Sequence, residues 1–293
     1  MATLKTLRTR IRSVKNTQQI TKTMKMVAAA KVRRARAAVE AARPYAAQLM
    51  NVLTELARNA GGTGGSLLLT GRPTVQTVRL IVCGSDRGLA GALNANLLKA
   101  AHRWVAEQQS RGRTVQLVAV GRKIRDGLRQ SHPTLLAESF TDLGRTIEFA
   151  KAQEIAIHAR TAFEQGTVDE VHLLCSECLS MLSQQPSFRK LVPFALGAAD
   201  VSQPAPSLRP TVEYEPDEAT VLERLLPLNL NMQVFSALLE SSASEQAARM
   251  TAMDSATRNA GELRKKLTVE YNRNRQAAIT KELIEIISGA QAV

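Results

Sequence analysis

The sequence predicts an α+α/β chain: an antiparallel coiled coil of N- and C-terminal helices, with a central, mostly parallel α/β domain between them. Three observations predict it. An apolar stripe at three/four spacing runs from Leu4 to Leu56 without a glycine. The middle of the chain alternates short β-branched runs with helical patterns. The stretch from 218 onward returns to helical spacing, with Gly261 the only glycine before Gly289.

The N-terminal stripe is Leu4, Leu7, Ile11, Val14, then Ala28, Val32, Ala35, Val39, Ala42, Ala46, Leu49, Leu53 and Leu56. That phase holds for roughly 50 residues, or about 80 Å of helix at 1.5 Å per residue. Such a helix needs a partner stripe to be stable. Pro44 is expected to kink it or mark its weak point. Gln18, Thr21 and Lys25 occupy stripe positions where apolar residues are expected, while Ile20, Met24 and Val27 move to another face. Two readings fit: a local stutter or polar layer that sets register, or a face that meets a second surface besides the coiled-coil partner.

A glycine-rich stretch, Asn59 to Ser66, reads as a flexible linker. Val78–Cys83, Thr114–Val120, Val168–Cys175 and Lys190–Phe194 are strand candidates, and Leu89–Val105 and Ile147–Gln165 are helices between them. Pro204, Pro206, Pro210 and Pro216 mark an extended connector, and Asp217 is placed to cap the next helix. Pro227 is expected to interrupt that helix's first turns. Its seam reads Ala260, Leu263, Leu267, Tyr271, Asn274 and Ala278, followed by Ile279, Leu283 and Ile286. The expected boundaries are therefore a helix over 1–58, a linker over 59–77, the α/β domain over 78–196, a connector over 197–217 and a helix over 218–293.

Composition agrees. Of 293 residues 44% are apolar but only 3% aromatic, so the core rests on Leu, Ile, Val, Ala and Met. The net charge of +13 is concentrated at one end: residues 1–36 hold eleven Lys/Arg and no acid. Such a block calls for an anionic partner. No run of 18 apolar residues exists to span a membrane. Three cysteines do not make a disulfide framework and fit a reducing compartment.

Chemistry is hard to find. Gly84, Gly88 and Gly91 follow a strand and open a helix, but G-x3-G-x2-G is not the dinucleotide fingerprint, and no G-x4-G-K-[ST] occurs. A tight turn is the simpler reading. Cys175 and Cys178 are three apart, so on a strand they point to opposite faces. His102, His132, His158 and His172 show no metal spacing. No catalytic, cofactor or metal residue is expected.

The residues then point to a family. The run from Ser13 to Lys31 (SVKNTQQITKTMKMVAAAK) resembles the N-terminal signature of the ATP synthase gamma subunit. Ser85–Asn94 (SDRGLAGALN) is similar to its central signature. Ser244–Met250 (SEQAARM) and Tyr271–Leu283 (YNRNRQAAITKEL) resemble its C-terminal ones, and Tyr214–Asp217 matches the segment before the last helix. The resemblance implies a Rossmann-like α/β domain beside the coiled coil. It implies a non-catalytic rotor shaft that couples rotation of a membrane c ring to the beta-subunit catalytic sites, with alpha, beta, epsilon and c subunits as partners. It implies contacts with beta subunits at Lys22, Met24, Lys25, Arg249, Arg275, Gln276 and Thr280, and a c-ring foot at Tyr214 and Glu215. Ala90 and Ala92 depart from the cysteine and glycine common there, small-for-small changes in a turn. The basic N-terminal segment also has the composition of a transit peptide. Because it contains a family signature, the expectation is a bacterial chain on the cytoplasmic face of the inner membrane. The competing readings are a basic coiled coil that binds duplex DNA and a nucleotide-binding enzyme using residues 78–105.

Overall fold

The computed structural model describes residues 3–59, 66–144, 146–181, 183–194, 215 and 217–291. Residues 60–65 of the expected linker, and Tyr214 with the four connector prolines, lie outside the described residues. The elements are α1 (Leu4–Asn59), α2 (Leu67–Thr70), β1 (Thr77–Cys83), α3 (Leu93–Ser110), β2 (Thr114–Val120), α4 (Arg122–Ser131), β3 (Leu136–Phe140), α5 (Phe149–Glu164), β4 (Glu170–Cys178), β5 (Gln184–Val192) and α6 (Glu218–Gln291). Two compact units result: Met1–Ala29 with Arg249–Val293, and Ala30–Ala248.

In the first unit the start of α1 and the end of α6 form an antiparallel pair. Leu7, Ala28 and Met253 are buried in its seam. The seam does not skip the polar stretch. Gln18 and Lys25 are half-buried on the same stripe and Thr21 is buried. On α6 the half-buried line passes through Thr257, Gly261, Arg264, Leu267, Tyr271, Asn274 and Ala278. Leu263 is off it, 48% exposed, and so are Ile279, Leu283 and Ile286. The expected seam was therefore wrong at these four apolar positions. Small and polar residues at the right angle displaced larger apolar ones at the wrong angle, because close helix approach selects direction before size.

In the second unit five strands lie in the order β3-β2-β1-β4-β5. β1 is parallel to β2 and β4, β2 is parallel to β3, and β5 runs antiparallel to β4. β1 is buried on both faces, which is why it reads as an unbroken apolar run. One face packs against α3 and α4 through Leu97, Trp104, Ile124 and Leu128. The other packs against α5, the end of α1 and the start of α6 through Phe163, Leu53, Leu56, Leu226 and Leu230. α4 and β3 are elements the apolar spacing does not reveal: α4 has only Ile124 and Leu128 buried, and β3 is an edge strand with no fully buried residue.

Both helix-breaking prolines sit inside continuous helices. Around Pro227, Leu222, Leu226 and Leu230 are buried on one face, so packing of that face outweighs the local cost. Asp217 caps α6: its Oδ1 accepts from the Thr220 N–H at 2.8 Å and its Oδ2 from the Thr220 hydroxyl at 2.8 Å.

Titration behaviour follows from burial. His102, His158 and His172 are all held below the ordinary histidine range, in each case first by burial. Glu170 is held below the usual carboxylate range although burial opposes it, because Lys190 and His172 donate to it. The unfolded chain therefore binds more protons than the folded chain once the pH drops below about 6.5. The melting temperature should fall from pH 7 to pH 5 through the histidines. It should fall again below about pH 4, as Glu170 and the Asp217 cap lose their charge. Calorimetry across that range checks it; a melting temperature unchanged between pH 7 and pH 5 would contradict the buried-histidine account.

Candidate partner interface on the terminal helices

The strand-to-helix loops at the C-terminal ends of β1, β2 and β3 are where an α/β sheet would bind a nucleotide. Here they are filled by the chain itself. The Asp86 carboxylate accepts from the backbone N–H groups of Arg122 at 2.9 Å, Asp142 at 3.2 Å and Leu143 at 3.0 Å. It thus occupies the first donor of α4, where a phosphate would otherwise be held. Asn94 Nδ2 donates to Ser85 Oγ at 2.8 Å and folds the glycine loop against α3. Gly121 has φ +99°, and a Cβ there would lie 2.7 Å from the Gly84 carbonyl oxygen. The glycines serve a tight crossing of two turns.

Cys175 is buried and Cys178 half-exposed, as opposite faces require. Burial, opposed by the Arg189 guanidinium, pushes the Cys175 thiol up to about 11. Cys83 is also pushed up by burial. Both are neutral, packed thiols at neutral pH.

The first unit presents the more distinctive surface. Ile20, Met26 and Val27 are 59%, 58% and 51% exposed. Ile20, Met24 and Val27 share one helix face at i, i+4, i+7. Lys22 is exposed and Met24 half-buried. Lys25 is committed within the chain: its Nζ donates to Asp254 Oδ1 at 2.5 Å. Arg249 is half-buried, and Arg275, Gln276 and Thr280 are exposed. The Thr280 hydroxyl donates back to the Gln276 carbonyl at 3.0 Å. All seven of these expected contact residues lie in the first unit; Glu215 is exposed and lies in the second.

Sequence reasoning missed Asp254 as the partner of Lys25, and it placed Ile279, Leu283 and Ile286 in the seam. With Ile284 and Ile287 these form an exposed apolar end of α6, each 48–67% exposed. The folded chain shows why: pairing of Gln18 with Gly261 and Lys25 with Asp254 sets Leu4 opposite about residue 275, so later residues have no α1 beside them.

A sequence model of the family described as "ATP synthase" matches residues 3–293. The ATP synthase gamma chain of Acidiphilium cryptum (strain JF-5) is 49% identical over 297 residues, covering 100% of both chains. The chain belongs to the ATP synthase gamma chain family. The gamma chain of Methylorubrum populi (strain ATCC BAA-705 / NCIMB 13946 / BJ001) is 48% identical, again over 100% of both chains. Among solved structures, a chain of the Tetrahymena thermophila mitochondrial ATP synthase central stalk and c ring is 26% identical. It superposes with a TM-score of 0.61, covering 81% of this chain and 99% of that one. A chain from the Euglena gracilis mitochondrial ATP synthase shares the fold at 20% identity, with a TM-score of 0.69, over 99% of this chain and 94% of that one. In this gamma-family chain, no helix among the described residues is long and apolar enough to cross a membrane.

Proposed function

We propose that this chain is the central rotor shaft of a proton-translocating ATP synthase. It couples rotation of a membrane c ring to the conformational cycling of catalytic sites on beta subunits, and it carries no catalytic site itself. The observation that carries the reading is full-length identity of 49% to a gamma chain, with no part of either chain left over. Its partners are the alpha and beta subunits of the head, epsilon, and the c ring. It sits on the cytoplasmic face of a bacterial inner membrane, held there through those partners. The full-length family match leaves the duplex-binding reading without support.

The geometry fits the role. A shaft inside a ring of subunits needs a stiff helical pair, an asymmetric outer surface and an apolar end that can turn against a partner. Lys22, Met24 and Lys25 on α1 and Arg249, Arg275, Gln276 and Thr280 on α6 are the contacts assigned to beta subunits, and Tyr214 and Glu215 form the foot on the c ring. A flexible thioether such as Met24 suits a contact that must be made and broken each turn. Purification of the native chain under mild conditions tests this. It should elute with alpha and beta subunits in a complex of several hundred kilodaltons that hydrolyses ATP, while the isolated chain hydrolyses none. A monomeric native chain, or ATPase activity intrinsic to it, would refute the reading.

A further inference from the structure

The polar stretch of the α1–α6 seam is three consecutive layers, each made between the helices. A Cβ on Gly261 would lie 2.9 Å from Gln18 Nε2, so the Gln18 amide lies across a glycine that leaves room for it. The Thr257 hydroxyl donates to Thr21 Oγ1 at 2.8 Å. Lys25 Nζ donates to Asp254 Oδ1 at 2.5 Å, and Arg258 reaches the other oxygen of Asp254 at 3.4 Å. Glycine inside a helix is unfavourable and is kept where a neighbour needs the space. The Lys25 N–H lowers the Asp254 carboxyl below its usual range.

We propose that these three layers are a register lock, which fixes the axial position of α6 against α1 in the paired unit. Small apolar seam residues discriminate poorly between registers, whereas one polar seam position specifies register at a cost in stability. The sequence around the lock penalises every neighbouring register. Slips of three, four or seven residues toward the C-terminus of α6 bring Lys25 opposite Thr257, Arg258 or Gly261; slips of three, four or seven the other way bring it opposite Thr251, Met250 or Ala247. None offers a carboxylate, and one opposes two cations.

The consequence for function rests on the rotor reading. The lock sets how far the apolar end of α6, from about residue 276 onward, projects past the start of α1. A four-residue slip moves that end by about 6 Å. Lys25 is then a positioning residue as well, acting through Asp254.

A charge swap in the assembled complex tests this. Thr21→Cys with Thr257→Cys, at positions whose hydroxyls touch, reports the native register by disulfide formation under a mild oxidant such as diamide. Lys25→Asp in that background sets two carboxylates face to face and rewards the slip toward Arg258. It should lower crosslinking several-fold and lower protons pumped per ATP. Lys25→Asp with Asp254→Lys should restore crosslinking to within about twofold. A double variant as poor as Lys25→Asp alone, or a Lys25→Asp variant that crosslinks like the parent, overturns the lock. Crosslinking restored without pumping supports the lock and counts against the rotor reading instead.

Discussion

Met24→Lys should leave assembly of the complex intact and cut protons pumped per ATP hydrolysed by at least severalfold. Met24 shares a helix face with the exposed Ile20 and Val27, on a segment whose neighbour Lys22 is exposed and cationic. In the rotor reading this face meets a beta subunit, the anionic partner that the basic residues 1–36 call for, as each site passes through its cycle. A thioether there makes a contact that deforms and releases. An ammonium in its place would form a charge-assisted hydrogen bond, roughly 1.5–3 kcal/mol stronger. The shaft must break that contact at every beta subunit it passes, so about 2 kcal/mol retained at release slows the step roughly thirtyfold. Hydrolysis not used to turn the shaft is lost to pumping. Reconstituted vesicles, scored for proton uptake per phosphate released, read the effect directly. Unchanged pumping per ATP would remove Met24 from the contact.

Phe163→Ala should destabilise the second unit by about 3–5 kcal/mol. Phe163 is the largest fully buried side chain among the described residues and anchors the end of α5 to the sheet. Removing its ring leaves a void that the surrounding strands cannot close, because β1 and β4 are held by pairing on both sides. A second interaction goes with it. The Arg72 guanidinium lies 5.4 Å from the ring centroid and is tied to Asp169 at 3.3 Å, so it would lose its aromatic floor. For a unit of this size the melting temperature should drop by roughly 6–20 °C. Phe163→Leu keeps most of the volume and should cost under about 2 kcal/mol. Equal losses for the two variants would show that volume at this site does not govern stability.

How far the sequence foretold this molecule depends on what each residue reports. Helical phase was legible wherever one face was continuously apolar, as from Ala28 to Leu56. It remained legible through Gln18, Thr21 and Lys25 because the angle persisted although the chemistry changed. Leu263, Ile279, Leu283 and Ile286 misled because large apolar residues usually mark a seam, and here the seam uses Gly261, Arg264 and Asn274. Nothing in their local pattern says that α1 ends before it reaches the last four turns of α6. β3 escaped because an edge strand alternates weakly. α4 escaped because two apolar residues four apart make too little pattern. Pro227 was read by local cost, and packing of the face that buries Leu222, Leu226 and Leu230 overruled it. The Asp86 cradle and the Lys25–Asp254 pair join residues far apart in sequence, and only the folded chain brings them together.

The most direct test fixes the head of the assembled complex to a surface, attaches a probe to an engineered cysteine at Glu215, and supplies ATP. The account predicts sustained rotation in one direction that pauses at three positions per turn, one for each beta subunit. A probe that stays still while the same complexes continue to hydrolyse ATP would contradict it.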